Sequence, residues 1–315
     1  MAWKHYYGTE DNDVTDGLSI LTSNNVTEAY SDIQLRYDAQ GGDDRFDGTT
    51  AFVSQYFLYG GDGSDILKAS SINGGEVNGG AGNDELYISG QQGFHIEGGS
   101  GNDLIDVSAN GWNYLAPGLG ADTIVGRSSF IDGNGSINLS YSDINQTGVK
   151  VTINSDYSGT VLGYNGSSTN TNYLNDTFTF VRNFEGTPNN DYFLSQILNG
   201  NQYVSFDATP GSDKYEGGAG WEHISYNIGK DGYTSGITVN PNGTVTNQFG
   251  GTDTLINIDF VAGTEFNDVI YASDHIYRYL MRRRMKHTGS IKNLREKVIV
   301  IRCSLKVSNK REGII

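Results

Sequence analysis

One spacing constrains this chain more than any other feature. Four segments, GGDGSDIL (60–67), GGAGNDEL (79–86), GGSGNDLI (98–105) and PGLGADTI (117–124), begin 19 residues apart each time. Their sixth positions are Asp65, Asp84, Asp103 and Asp122, and their eighth positions are Leu67, Leu86, Ile105 and Ile124. A second apolar series, Leu58, Val77, Ile96 and Leu115, precedes each loop at the same interval. A fifth copy, AQGGDDRF (39–46), stands one two-residue insertion upstream and supplies Asp44 and Phe46. A fixed period holding two short apolar segments predicts coils that stack on one another, because no single coil can bury its own apolar residues. Residues 60–124 therefore predict two facing ladders around a thin core, with an aspartate-bearing glycine loop at every coil.

Composition agrees with many short strands and tight turns. The chain has 315 residues, of which 43 are glycine and 4 proline. Glycine at that density disfavours helices, at roughly 1 kcal/mol per interior position. Residues 1–274 carry 9 Lys and Arg against 35 Asp and Glu, whereas residues 275–315 carry 12 against 2. An acidic body repels nucleic acid and anionic membrane. It attracts cations, and carboxylates are the hard oxygen ligands that Ca²⁺ takes. Stacked parallel strands lie ~4.8 Å apart, close enough for an ion between two loops to reach both at Ca²⁺–oxygen distances of ~2.3–2.6 Å. Glycine at the loops permits positive φ, so that main-chain carbonyls can turn toward the ion.

These loops resemble the nonapeptide G-G-x-G-x-D-x-U-x of the RTX, or hemolysin-type, calcium-binding repeat proteins. The resemblance implies an all-β fold, a right-handed parallel β-roll with 19-residue coils here, followed by degenerate β repeats. It implies Ca²⁺ between successive loops, held by loop carbonyls and the paired aspartates. Carried over residue by residue, Gly60, Gly61, Gly63 and Asp65 face Gly79, Gly80, Gly82 and Asp84. The next loops bring Gly98, Gly99, Gly101 and Asp103, then Gly118, Gly120 and Asp122, and Asp44 opens the series. The family repeats every nine residues and binds ions on both sides of the roll. The alternate turns here lack the aspartate loop, which predicts a single row of ions. Pro117 replaces the first glycine of the last loop and puts that edge site in question.

Residues 1–38 read as an irregular β lead-in, in which GTEDND (8–13) is an opening copy with Asp13 at position six and Ile33, Leu35 and Tyr37 alternate. Residues 39–130 form the calcium-binding roll. Over 131–274 a longer module appears twice: DTFTFVRNFEGTPNND (176–191) matches DTLINIDFVAGTEFND (253–268) at an offset of 77 residues. Between them Asp213 and Glu222 stand nine apart, and Ile137 occupies an aspartate position, so weaker or absent ion sites are expected there. The basic tail 275–315 breaks the repeat. It is open to reading as an anion- or membrane-binding segment, or as a misjoined end outside the fold.

No zinc-protease, nucleophile-elbow or P-loop spacing occurs, and the five histidines lack ligand spacing, so no enzyme is expected. Cys303 is the single cysteine, which excludes a disulfide framework. No 18-residue apolar run is present, so no transmembrane helix is expected, and Met1–Tyr7 lacks the apolar core of a Sec signal. The chain reads as a secreted, type I passenger or a cell-surface protein, with a surface or matrix polysaccharide as the partner a surface role would imply. The alternative reading is the non-catalytic RTX portion of a larger secreted protease, lipase, toxin or polysaccharide-modifying enzyme.

Overall fold

The computed structural model describes residues 2–24, 29–128, 135–227, 235–271 and 276–280. The fold is built almost wholly from strands in two large sheets, one of 12 strands and one of 15. From Val14 to Val125, apart from the short helices between Gly17 and Asp32, successive strands alternate between the sheets. Gln55–Asp62 lies in the first, Ile66–Ser71 in the second, Gly75–Ala81 in the first again. Each strand pairs in parallel with its counterpart one repeat later, and the register is that of the sequence repeat. Leu67 lies opposite Leu86 and Leu86 opposite Ile105, while Leu58 lies opposite Val77 and Val77 opposite Ile96. Both ladders point inward, and Leu58, Leu67, Val77, Leu86, Ile96 and Ile105 are fully buried. Their alternation with half-exposed neighbours, as in Glu85–Gly90 and Ile66–Ser71, is the period-two pattern of strands with one face on a core.

The same two sheets continue through the longer modules. Trp112–Leu119 pairs with Ser136–Ser140, which pairs with Asn183–Glu185, then with Tyr203–Asp207 and Trp221–Ser225. In the second sheet each module inserts an antiparallel meander. Gly148–Ile153, Gly159–Tyr164 and Thr169–Thr179 form the first, and Thr238–Val239, Thr244–Thr246 and Thr252–Ile256 the second. The outer strands of each meander still pair in parallel with the regular coils, Thr177 opposite Thr123 and Lys150 opposite Tyr192. Of the basic tail, Ile276–Leu280 forms the last strand of the first sheet, parallel to Ile258–Ala262. Residues 281–315, including Cys303, lie outside the described residues.

The core becomes richer in aromatics where the modules begin. Aliphatic residues predominate between Leu58 and Ile124, after a cluster of Tyr37, Phe46 and Tyr56, whereas Phe178, Phe184, Phe193, Phe206 and Tyr215 stack through the modules at centroid distances of 5.0–6.4 Å. The α-helix Gly17–Ser23, the only one among the described residues, is capped by Asp16, whose carboxylate accepts from the Ser19 amide at 2.8 Å, and it buries Ile20 and Leu21. Among the described residues no helix is long and apolar enough to cross a membrane.

Leu86 sits between Leu67 and Ile105 with no exposed surface, and Lys68 projects outward with its ammonium 5.3 Å from the Tyr87 ring centre. Leu86→Ala is expected to cost ~2–5 kcal/mol, and Leu86→Asp, which buries an unpaired charge, to prevent ordering of residues 39–125. Lys68→Asp loses only an exposed cation–π contact of ~0.5–1 kcal/mol. Denaturant titrations of the three variants check the ladder, which fails if Leu86→Asp and Lys68→Asp behave alike.

Candidate functional site: a column of buried aspartates

The loops that leave the first sheet stack along one edge of the molecule, and their aspartates form a continuous hydrogen-bonded column. The amide of Asp44 donates to Oδ1 of Asp65 at 2.7 Å, that of Asp65 to Asp84 at 2.8 Å, and that of Asp84 to Asp103 at 2.8 Å. Asp103 continues to Asp122 at 2.8 Å, and Asp13 begins the series by donating to Asp44 at 2.5 Å. Beyond the glycine-rich loops the column goes on. The Asp122 amide reaches Asp176 at 3.0 Å across 54 residues of sequence, Asp191 reaches Asp213 at 2.9 Å, and Asp213 reaches Asp253 at 3.0 Å. The meander strands take the same bond from other residues, Val149 to Asp191 and Ile237 to Asp268.

Sequence reasoning found Asp44 to Asp122, and the structure stacks all five. It did not place Asp176, Asp191, Asp253 and Asp268 in the same column, because the meanders separate them by irregular intervals. The signal was present in the 77-residue offset, which superposes Asp176 on Asp253 and Asp191 on Asp268. Ile137 is a buried core residue of Ser136–Ser140. Glu222 lies on the first sheet, away from the column, where Oε1 accepts from Ser195 Oγ at 2.7 Å and from the Gly218 amide at 3.0 Å.

The glycines have a visible cause. Gly61, Gly80, Gly99 and Gly118 hold φ between +99° and +118°, and Gly63, Gly82, Gly101 and Gly120 between +130° and +150°, a region that residues with a Cβ rarely enter. Gln40 takes the second position of its loop at φ +77°. The first-position glycines act differently. Beside Gly60, where a Cβ would project, Asp65 Oδ2 and the Gly79 carbonyl lie 2.2 and 2.3 Å from that point. The same two oxygens recur beside Gly79, from Asp84 and Gly98, and beside Gly98, from Asp103 and Pro117. Pro117 keeps this geometry because strand pairing skips the first loop position, passing from Ala116–Glu97 to Gly118–Gly99, so its missing N–H breaks no rung.

In the five glycine-rich loops, Oδ2 of Asp44, Asp65, Asp84, Asp103 and Asp122 is buried and has no hydrogen-bond partner, although each residue is at most 2 % exposed. Burial drives their pKa values upward, and neighbouring carboxylates add to this for Asp44, Asp65, Asp84 and Asp122. Asp65 is raised to about 6, Asp84 to about 7 and Asp122, beside Asp176, to about 8. A column of acceptor-only oxygens without donors has two ways to be satisfied, by protons or by a cation. Among the described residues no point gathers three or more acidic, histidine or cysteine side chains. Each gap between loops offers two carboxylates and main-chain oxygens, a donor set for a hard cation rather than a soft one.

The remaining loops solve the same problem internally. At 8–13, 186–191, 208–213 and 263–268 a threonine stands at the second position. Asp13 Oδ2 accepts from the Thr9 amide at 2.6 Å and its hydroxyl at 3.2 Å, and Asp191 accepts from the Thr187 amide and hydroxyl, both at 2.9 Å. Thr209 Oγ1 lies 3.2 Å from Asp213 Oδ2, and Thr264 Oγ1 2.8 Å from Asp268 Oδ1. Asp176 and Asp253 receive tyrosine hydroxyls instead, from Tyr141 at 2.7 Å and Tyr226 at 2.8 Å.

No protein-family model matches the chain, and no curated protein matches it significantly. The site is therefore read from its own chemistry.

The raised carboxyl pKa values have a definite consequence for the metal-free protein. The folded state holds these protons more tightly than the unfolded state, whose aspartates titrate near 3.9. Their stabilising contribution is thus complete below that value and is lost as pH rises through about 6 to 8. Metal-free protein is expected to be more stable at pH 5 than at pH 8, the reverse of ordinary acid denaturation. Urea midpoints measured with chelator at the two pH values check the sign.

Proposed function

We propose that the chain is a calcium-binding protein of the RTX kind, a right-handed parallel β-roll whose glycine-rich loops hold Ca²⁺ in the gaps between successive coils. The observation that carries this reading is the run of five buried carboxylates with orphaned Oδ2 atoms, set in loops whose glycines bring main-chain carbonyls alongside. Asp44, Asp65, Asp84, Asp103 and Asp122 supply the charge, and each inner aspartate serves the gap above and the gap below it. The bound ion supplies charge neutralisation of the column. No catalytic role follows from it.

The energetics favour coupling of binding to folding. Unit charges ~5 Å apart repel by about 3 kcal/mol at an effective dielectric of 20. Whole domains are stable by only ~5–15 kcal/mol, so several such repulsions are not easily offset by a core one side chain wide. A cation between the carboxylates reverses the sign, and its binding free energy becomes folding free energy. Extracellular calcium modules work at ~10⁻⁴–10⁻³ M, a range that leaves such a roll unfolded in the cytosol and folds it outside. This supports a secreted, structural or surface-associated role.

Far-ultraviolet circular dichroism tests the reading. Chelator is expected to remove the strand signal of residues 39–125, and millimolar Ca²⁺ to restore it cooperatively, while Mg²⁺, which is smaller and holds its water, does not. Asp84→Ala and Asp103→Ala each remove a ligand from two gaps. They are expected to raise the Ca²⁺ midpoint more than Asp122→Ala, whose far neighbour Asp176 is already bonded to Tyr141. Three indistinguishable midpoints would refute ions shared between loops.

A further inference from the structure

We infer that the threonine-bearing loops and the paired tyrosines are built-in replacements for the ion, so that residues 135–271 fold without metal and template the metal-requiring coils. The inference rests on the calcium reading of the glycine-rich loops and adds which part of the column needs the ion.

The two loop types differ at the second position in a way that changes both backbone and chemistry, and in three of the four threonine loops Asp11, Asn189 or Phe266 also replaces the fourth-position glycine. Where the second residue is glycine, or Gln40 in the loop of Asp44, φ is positive and the aspartate keeps an orphaned Oδ2. Where it is threonine, the residue is absent from the positive-φ set, as expected for a β-branched side chain, and its hydroxyl lies 2.8–3.2 Å from an aspartate oxygen. A hydroxyl donor and a cation do the same thing for a buried carboxylate: each places positive charge against an oxygen that has left water. Only the cation can be withdrawn.

The distribution of the two types is not mixed. Within the aspartate column the five orphaned carboxylates are consecutive, from Asp44 to Asp122; the other buried carboxylate with an orphaned oxygen among the described residues, Glu222 through Oε2, lies on the first sheet off the column. They are closed at one end by Asp13 with Thr9, and at the other by Asp176 with Tyr141. From there to Asp268 every aspartate of the column has a threonine or tyrosine hydroxyl. The same stretch carries the stacked aromatic core of Phe178, Phe184, Phe193, Phe206 and Tyr215. One half thus has internal donors and a longer aromatic stack, whereas in the other the carboxylates lack donors and the stacked aromatics of the core are confined to Tyr37, Phe46 and Tyr56. The two meet in both sheets: the Asp122 amide donates to Asp176 and Thr123 to Val125 pair with Thr177 to Thr179, while Trp112 to Leu115 pair with Ser136 to Leu139. A preformed edge there offers the first glycine-rich coil a sheet on which to add, which removes the nucleation step that a chain of thin coils otherwise faces.

Hydrogen exchange read by mass spectrometry on the full chain tests this. In chelator, strands between 136 and 262 are expected to stay protected while strands between 55 and 119 exchange freely. Ca²⁺ at ~100 times its dissociation constant is expected to slow the latter by about 100-fold and to leave the former unchanged. Loss of protection in both regions on chelation, with recovery of both in Ca²⁺, overturns the inference and leaves the calcium reading standing. No response of residues 55–119 to Ca²⁺ overturns both. Thr187→Val removes the hydroxyl and keeps the amide donor. It is expected to speed exchange around Asp191 in chelator with no recovery in Ca²⁺, and Thr187→Ser to restore protection. Recovery of Thr187→Val by Ca²⁺ would mean that the loop takes an ion after all, and would equally overturn the inference.

Discussion

Through the 19-residue coils each loop is tied to the next by a hydrogen bond from an aspartate amide to the carboxylate of the following aspartate. That bond sets the rise of the stack, since both partners belong to the same loop position one coil apart. It also fixes the orientation of each carboxylate, with Oδ1 spent on the neighbouring coil and Oδ2 turned toward the first residue of its own loop. Burial at the edge then follows, and with it the electrostatic demand that the rest of the sequence must answer. Strand register, glycine placement and the hydroxyl partners all serve that one column.

The demand is answered in two ways along a single chain. Through the 19-residue coils the loops leave Oδ2 facing a neighbouring main-chain carbonyl, an arrangement of oxygens alone. Through the longer modules Tyr141 and Tyr226 donate to Oδ2 of Asp176 and Asp253, while Thr187 and Thr264 donate to Oδ1 of Asp191 and Asp268. The meanders widen the second sheet while their outer strands keep parallel register with the coils on either side, and there Val149 and Ile237 replace an aspartate as amide donors to Asp191 and Asp268. Insertion is tolerated there for a simple reason: an antiparallel hairpin satisfies its own backbone groups and returns the chain to the sheet where it left. On the opposite edge the described residues of the 19-residue coils carry no such aspartate series, and an acidic pair appears only farther along, where the Glu222 amide donates to Asp259 at 3.0 Å. Neutral groups serve in those coils, as in Asn73 donating to Ser54, and Asn113 accepting from Phe94 while donating to Ser136.

Much of this was legible because a repeat of fixed length is a statement about geometry. The 19-residue interval determined that Leu67, Leu86 and Ile105 share one ladder and that Asp65, Asp84 and Asp103 share another, since equal steps along a stacked coil return to the same place. The glycines at the second and fourth loop positions announced positive φ for the same reason. Spacing lost its force once the steps became unequal. Asp122 and Asp176 are adjacent rungs, yet 54 residues lie between them, and a hairpin of arbitrary length carries no phase. Which hydroxyl meets which carboxylate was equally hidden: Tyr141 and Tyr226 reach Asp176 and Asp253 only after the meanders close the intervening distance. The sequence by itself determined a parallel stack of coils with an acidic edge. Tertiary structure alone decided which of those acids have an internal donor and which do not, because a hydrogen bond between distant segments depends on where folding brings them.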